Sequence, residues 1–190
     1  MSIVIHGVPP SPFVRKVRVF LGEKNVPYEL KPQQPFNQSP EYLKISPLGK
    51  VPCVQDGYFT VPDSSVICAY LERTHPEPPL YPSDDKEYAR ALWIEEYADS
   101  KLAEACGTPF FQRVVRPLFF KQEPDEEAVA KVVNEVQPPV FDYLEGEIDD
   151  GAEGIVGGRF SIADVAVGTM LAQLEHAQLD VDASRWPRLA

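Results

Sequence analysis

The run Ile3-Val4-Ile5-His6-Gly7-Val8-Pro9-Pro10-Ser11-Pro12-Phe13-Val14-Arg15-Lys16-Val17-Arg18-Val19-Phe20-Leu21 reads as a strand, a turn and a helix. Ile3 to His6 is a short β-like segment. From Pro12 to about Lys24, apolar Phe13, Val17, Phe20 and Leu21 recur at helical spacing. Pro12 suits the first helical position and Ser11 the cap before it. This entry puts a hydroxyl at a helix N-terminus, where unpaired N–H groups and the dipole favour an anion. A thiol held there ionises more easily. The chemistry suggested is activation of a thiolate that the chain does not itself supply.

Working outward, Tyr28-Glu29-Leu30-Lys31 alternates like a second strand, and Pro40 to Ile45 forms a short helix. Cys53-Val54-Gln55 and Phe59-Thr60-Val61 flank Asp56-Gly57, a hairpin signal. A helix follows from Ser64 to Arg73, with Val66, Ile67, Tyr70 and Leu71 on one face. The order β-α-β-α-β-β-α allows one parallel crossover followed by an antiparallel hairpin. That is the connectivity of a thioredoxin-like layer. Pro76, Pro78, Pro79 and Pro82 then mark a linker.

Everything after the linker reads as helical. One pattern spans Lys86 to Glu104, with Trp93 and Tyr97 expected in the core or at a domain interface. A second spans Glu126 to Ile148, where Pro138-Pro139 kinks or splits it. A third, nearly all apolar, runs from Ser161 to His176, central to a helical domain. Ser161-Ile162-Ala163-Asp164 has capping-box spacing, with Phe160 placed for a hydrophobic staple. The expected organisation is residues 1–75 as a thioredoxin-like α/β domain, 76–86 as a proline-rich linker and 87–190 as an all-α domain.

Composition narrows the function. The 190 residues are 44% hydrophobic and 25% charged, with net charge -11. That acidic balance argues against nucleic-acid binding. Arg15, Lys16 and Arg18 form a local basic stripe, read as a solvated helix face. No apolar run is long enough to span a membrane, and no secretory signal is expected at the start. Three cysteines, Cys53, Cys68 and Cys106, form no paired framework and fit a reducing compartment such as the cytoplasm. Three scattered histidines and no Cys-x-x-Cys argue against a metal site.

Each candidate residue has a plain and a chemical reading. The Ser11 hydroxyl either caps its helix or donates a hydrogen bond to a thiolate, favouring the charged form. Val51-Pro52 is either a proline leading a strand or a cis peptide that turns the Val51 backbone toward an extended peptide ligand. Asp63-Ser64-Ser65 either caps the third helix or forms an anion pocket. In that pocket Ser64 offers its hydroxyl and N–H to a carboxylate, and Asp63 holds a nearby ammonium. Cys53 and Cys68 read as small buried hydrophobes.

Together, in this order, these segments resemble the glutathione transferases. Ser11-Pro12-Phe13-Val14-Arg15-Lys16-Val17-Arg18 is similar to the first-helix motif of serine-type members, the tau class and its bacterial relatives among them. Tyr42-Leu43-Lys44-Ile45-Ser46-Pro47-Leu48-Gly49-Lys50-Val51-Pro52 resembles the segment leading to the family's cis proline, and Asp63-Ser64-Ser65-Val66-Ile67-Cys68-Ala69-Tyr70-Leu71-Glu72 its acidic-Ser motif. Phe160-Ser161-Ile162-Ala163-Asp164 resembles its helical-domain capping box. The resemblance implies that Ser11 donates to the glutathione sulfur. It implies that Val51, beside Pro52, pairs with the cysteinyl unit, and that Asp63 and Ser64 hold the γ-glutamyl end. Lys50, with Gln38, would face the glycine carboxylate.

By the same resemblance, an electrophile lies against the helical domain, with Phe13, Phe110, Phe111 and Val114 as its apolar wall. Glutathione is a co-substrate, no metal is needed, and the protein is a homodimer in which Asp99 reaches toward a glutathione. The family continues past Trp186-Pro187-Arg188-Leu189 with one or two more helices, which this sequence does not include. Glutaredoxins share the layer but carry Cys-Pro-Tyr-Cys where this chain has Ser11-Pro12-Phe13-Val14, so dithiol exchange is excluded there. Two other activities stay open: a non-catalytic interaction protein on the same scaffold, and a glutathione-dependent isomerase or peroxidase.

Overall fold

Strand β1 (Ile3–Gly7) buries Ile3 and Ile5 at the centre of a four-stranded sheet ordered β2-β1-β3-β4. In the computed structural model, which describes residues 2–190, the chain divides into two compact units, Met1–Leu80 and Tyr81–Ala190. In the first, α1 (Pro12–Glu23) carries the chain from β1 to β2 (Tyr28–Pro32), which pairs parallel to β1. After α2 (Pro40–Ile45), β3 (Cys53–Asp56) and β4 (Phe59–Pro62) add antiparallel. Helix α3 (Ser64–Thr74) closes the layer against α1. This is the thioredoxin-like connectivity.

The core of this unit forms where Val14, Val17, Phe20 and Leu21 of α1 meet Ile67, Cys68 and Leu71 of α3. Gly7 lets the end of β1 approach α1 closely, because a Cβ there would collide with the Val14 side chain. One expectation is corrected. Lys16 is fully buried, and Arg15 and Arg18 are half-buried, so the basic stripe is not a solvated face. Lys16 sits three and four residues from Phe13 and Phe20, on the apolar side of the helix. Its Nζ donates to Ser65 Oγ at 2.8 Å, and Arg18 Nε donates to the Tyr28 hydroxyl at 2.9 Å.

The second unit is helical. Its first helix, α4 (Asp85–Tyr97), passes through a π-helical turn at Ala98–Leu102 into α5 (Ala103–Phe110) and on through a π-helical stretch, Phe111–Phe120. The sequence pattern stopped near Glu104 because Pro109 breaks it. Pro109 has no N–H for the Ala105 carbonyl, and buried Gln137 supplies one instead, its Nε2 donating to Ala105 O at 3.1 Å. A second proline effect splits α6 (Glu126–Lys131) from α7 (Gln137–Glu147) by the π turn Val132–Val136, just before Pro138-Pro139. Trp93, expected in the core or at a domain interface, is 48% exposed and so is not core, and it donates Nε1 to the Tyr143 hydroxyl at 2.6 Å.

Helix α8 (Ile162–His176) is the buried centre of this unit, packed on α4 and α5. Its capping box is complete. Ser161 Oγ accepts from Ala163 N, and Asp164 Oδ2 accepts from Ser161 N at 2.8 Å. The other Asp164 oxygen accepts from Ile155 N at 2.9 Å and so ties down the preceding loop.

The segment after α8 is clasped onto α7. The Glu145 carboxylate accepts from the backbone N–H groups of Arg188 and Leu189 and from Arg188 Nε. Trp186 packs edge-on against Phe141 and donates Nε1 to Asp142 at 2.7 Å. Burial alone would push the Glu145 carboxyl up, but the Arg188 side chain and the two backbone donors outweigh it and hold it below the ordinary value. A depressed carboxyl stabilises the fold at pH above its unfolded value, about 4.3, and that contribution disappears as the pH falls through the lower, folded value. Trp186 fluorescence, read in a Trp93→Phe background, should therefore change as the pH is taken below about 4, before global unfolding. Glu145→Gln should show the released signal already at neutral pH. An acid transition unchanged by that substitution would refute this role for Glu145.

Candidate thiol and carboxylate site

The register of the sheet gathers most of the candidates at one end. His6, near the C-terminal end of β1, pairs with Cys53, and Cys53 pairs with Pro62. Val51-Pro52, just before β3, and Asp63-Ser64, just after β4, therefore lie at the end of the sheet where β1 runs out toward Ser11. Gly7 pairs with Pro32, and Gln33 N donates to Gly7 O at 3.2 Å, which brings the Gln33–Gln38 segment to the same end. Ser11, Lys50, Val51, Pro52, Asp63 and Ser64 thus share one end of the sheet through strand pairing, and Gln38 joins them through its Nε2 bond to Gly49 O.

Ser11 is the N-cap of α1, and its Oγ accepts from Val14 N at a long 3.4 Å. An oxygen that accepts this bond keeps its own proton for a ligand. At the same end of the sheet the Val51 side chain is buried, yet no hydrogen bond among the described residues uses its N–H or C=O. The Val51–Pro52 peptide is cis. Helix α3 begins at Ser64, whose hydroxyl and N–H likewise make no hydrogen bond among the described residues, although the residue is only 3% exposed. Its cap, Asp63, holds Ser65 N and Val66 N with one oxygen and has φ +77. That left-handed backbone is costly for a residue with a Cβ, and strain of this kind concentrates at functional sites.

Neither Cys53 in this unit nor Cys106 in the second supplies an activated thiol. Burial pushes the Cys53 thiol up to about 11 and the Cys106 thiol up to about 12, so neither ionises near neutrality. Burial also lowers His6, which bonds Gln55, so this imidazole stays neutral at pH 7. Among the described residues no cluster of His, Cys, Asp and Glu could hold a metal. No helix among them is long and apolar enough to cross a membrane. What the edge can do is hold an incoming anion at two helix starts and pair an extended backbone at Val51.

Three further residues support this edge. Tyr42 and Ser46 both donate to Lys50 O at 2.8 Å, which fixes the backbone leading to Val51. Burial pushes the Tyr42 phenol up to about 12, so it remains a donor. Lys16 places a buried ammonium against Ser65 in the first turn of α3. Helical spacing from Phe13 and Phe20 was the signal for it.

The apolar candidates separate. Phe13 is half-buried on α1. In the second unit Phe110 is 8% exposed and packs on His176, so it belongs to the core. Phe111 is 40% exposed beside Phe120, and Val114 is half-buried on the same π-helical stretch. Asp99 is half-buried in the Ala98–Leu102 turn.

Comparison with known proteins places these features in a lineage. A family model described as the glutathione S-transferase N-terminal domain matches residues 5–79, and one described as the C-terminal domain matches 127–190. The chain is 30% identical to glutathione S-transferase U4 of Arabidopsis thaliana over 171 residues, 90% of this chain and 70% of that protein. It is 31% identical to the chloroplastic glutathione S-transferase DHAR3 of the same plant, over 87% of this chain and 55% of that protein. A glutathione S-transferase of Methylobacterium radiotolerans, solved with glutathione sulfonate, superposes with TM-score 0.78 at 28% identity, covering 100% of this chain and 87% of that one.

Proposed function

The chain belongs to the glutathione S-transferase family, and from that premise we propose that it is a serine-type transferase that activates the glutathione thiol at Ser11 for attack on a hydrophobic electrophile. The observation that carries this reading is the shared edge. A hydroxyl proton at one helix start, unpaired backbone at Val51 and a second helix start at Ser64 lie at the same end of one sheet.

The tripeptide fits that edge in one direction. Its γ-glutamyl carboxylate takes the Ser64 hydroxyl and N–H at the start of α3, and its ammonium takes the free oxygen of Asp63. Its cysteinyl unit pairs with the Val51 backbone, which brings the sulfur toward Ser11. The glycine end then runs toward Lys50, the residue before Val51. At Ser11 the hydroxyl donates to the sulfur anion more strongly than to the neutral thiol, and the N-terminus of α1 adds its dipole. The thiolate attacks the electrophilic carbon, whose leaving group or π-electron pair accepts the displaced electrons, and the thiol proton goes to solvent.

The reading also takes the protein to be a cytoplasmic homodimer. Calorimetry with millimolar glutathione tests it, with oligomeric state read by light scattering on the same sample. Saturable binding at one site per chain is expected. No binding at that concentration would favour a non-catalytic interaction protein on this scaffold.

A further inference from the structure

Gln38 was expected to face the glycine carboxylate, and its hydrogen bonds point to another role. Its Nε2 donates to Gln34 O at 2.7 Å and to Gly49 O at 2.8 Å, and its Oε1 accepts from Gln33 Nε2. A glutamine amide has two N–H groups, and both are used on backbone carbonyls. Turning the amide over would set its oxygen against those same two carbonyls, so the assignment of nitrogen and oxygen is determined by the surroundings. Only a lone pair remains, and a lone pair repels a carboxylate. The fit around Gly49 is close as well. Gly49 has φ +65, and a Cβ there would come within 3.2 Å of Gln38 Cγ.

The neighbouring carbonyl, Lys50 O, is held by Tyr42 and Ser46, so three side chains fix the backbone immediately before Val51. The Lys50 side chain itself is exposed. Resting on the glutathione reading above, we propose that Gln38 is a positioning residue for the Gly49–Val51 segment, and that the site accepts thiol tripeptides with an uncharged or extended carboxyl terminus nearly as well as glutathione.

On this proposal the carboxylate meets the exposed Lys50 side chain. Such pairs are weak in water, and the preference it creates is no more than about fivefold. The chemical class admitted is wider than glutathione: γ-glutamyl-cysteinyl thiols whose third residue is esterified, amidated or extended.

The test measures affinity by calorimetry for glutathione and for its glycine-end monoethyl ester, on the full chain. Wild type should prefer glutathione by less than about fivefold, and Lys50→Met should bring the ratio to about one. Gln38→Met, which keeps the length but loses both donors, should weaken both thiols by the same factor and leave their ratio unchanged. A purely structural fault elsewhere would lower the melting temperature, whereas loss of positioning should raise both dissociation constants in a variant that still folds. A wild-type preference above about fiftyfold overturns the proposal, as does Gln38→Met weakening glutathione while sparing the ester. If Gln38→Met does not fold, wild type against Lys50→Met still decides the tolerance of the carboxyl terminus, and Gln38→Glu, which keeps the length and an acceptor but loses both donors, takes its place for the positioning role. Binding of neither thiol by wild type would remove the glutathione reading itself, and this inference with it.

Discussion

Ser11→Ala is expected to lower kcat/KM for conjugation by about a hundredfold, the usual cost of removing one preorganised donor from a developing or resident anion. Glutathione affinity should change much less, because the proposed site assigns the rest of the tripeptide to Val51 and the start of α3. A hydrogen bond to a charged group is worth about 1.5–3 kcal/mol, and each pKa unit about 1.4 kcal/mol. The pH–rate profile should therefore move up by roughly one to two units. Ser11 also caps α1, and losing that cap costs stability of its own. The cap bond is long at 3.4 Å, so the cost should fall at the low end of the usual range, about 0.5 kcal/mol. Ser11→Gly separates the two effects, since glycine is tolerated at an N-cap but brings no hydroxyl. It should lose the rate and keep the stability. An unchanged pH–rate profile in both variants would leave Ser11 as a cap and nothing more.

The second large effect concerns stability. Lys24 Nζ lies 2.7 Å from Glu72 Oε2 with its side chain wholly buried, and it also donates to Pro78 O at 2.8 Å. Glu72 in turn accepts from Leu80 N at 3.2 Å. One pair thus joins the end of α1 to α3 and to the proline-rich segment that follows. Glu72→Ala leaves a buried ammonium without its counter-charge and a backbone N–H without its acceptor. The expected loss is about 3 kcal/mol, a fall of roughly 10 °C in melting temperature. The double variant Lys24→Met with Glu72→Leu removes both charges and should recover most of that loss, because a well-packed apolar pair often replaces a buried ion pair without cost. A loss below about 1 kcal/mol in Glu72→Ala would mean that water reaches Lys24 and that the pair behaves as a surface one.

The strands and short helices of the first unit were legible because periodicity, caps and turn residues agree there. Ser11-Pro12 opens α1 and Ser39-Pro40 opens α2, each with the serine oxygen on an N–H of the first turn. The hairpin was located but shifted by one residue. Asp56 pairs with Phe59, so Gly57 and Tyr58 form the loop, and the Asp56 carboxylate accepts instead from the Tyr70 hydroxyl at 2.8 Å. Local turn chemistry does not see a partner fourteen residues away. The long helical run was cut short for the same reason, since only the fold brings Gln137 to the carbonyl that Pro109 orphans. At this edge the Ser11 cap of α1 and the Asp63 cap of α3 were readable from motif and order. Contacts of one side chain on a distant part of the chain were not. Lys16 looked like one cation of a surface stripe until α3 was packed over it, and the bonds from the Gln38 amide to Gln34 O and Gly49 O appear only once the chain is folded.

The thiolate claim is tested most directly by titrating the ultraviolet absorbance of glutathione bound at saturation, in wild type and in Ser11→Ala. Wild type should ionise about one to two units below the free thiol value near 8.5, and Ser11→Ala should return the midpoint most of the way to it. One midpoint shared by both proteins would contradict the account.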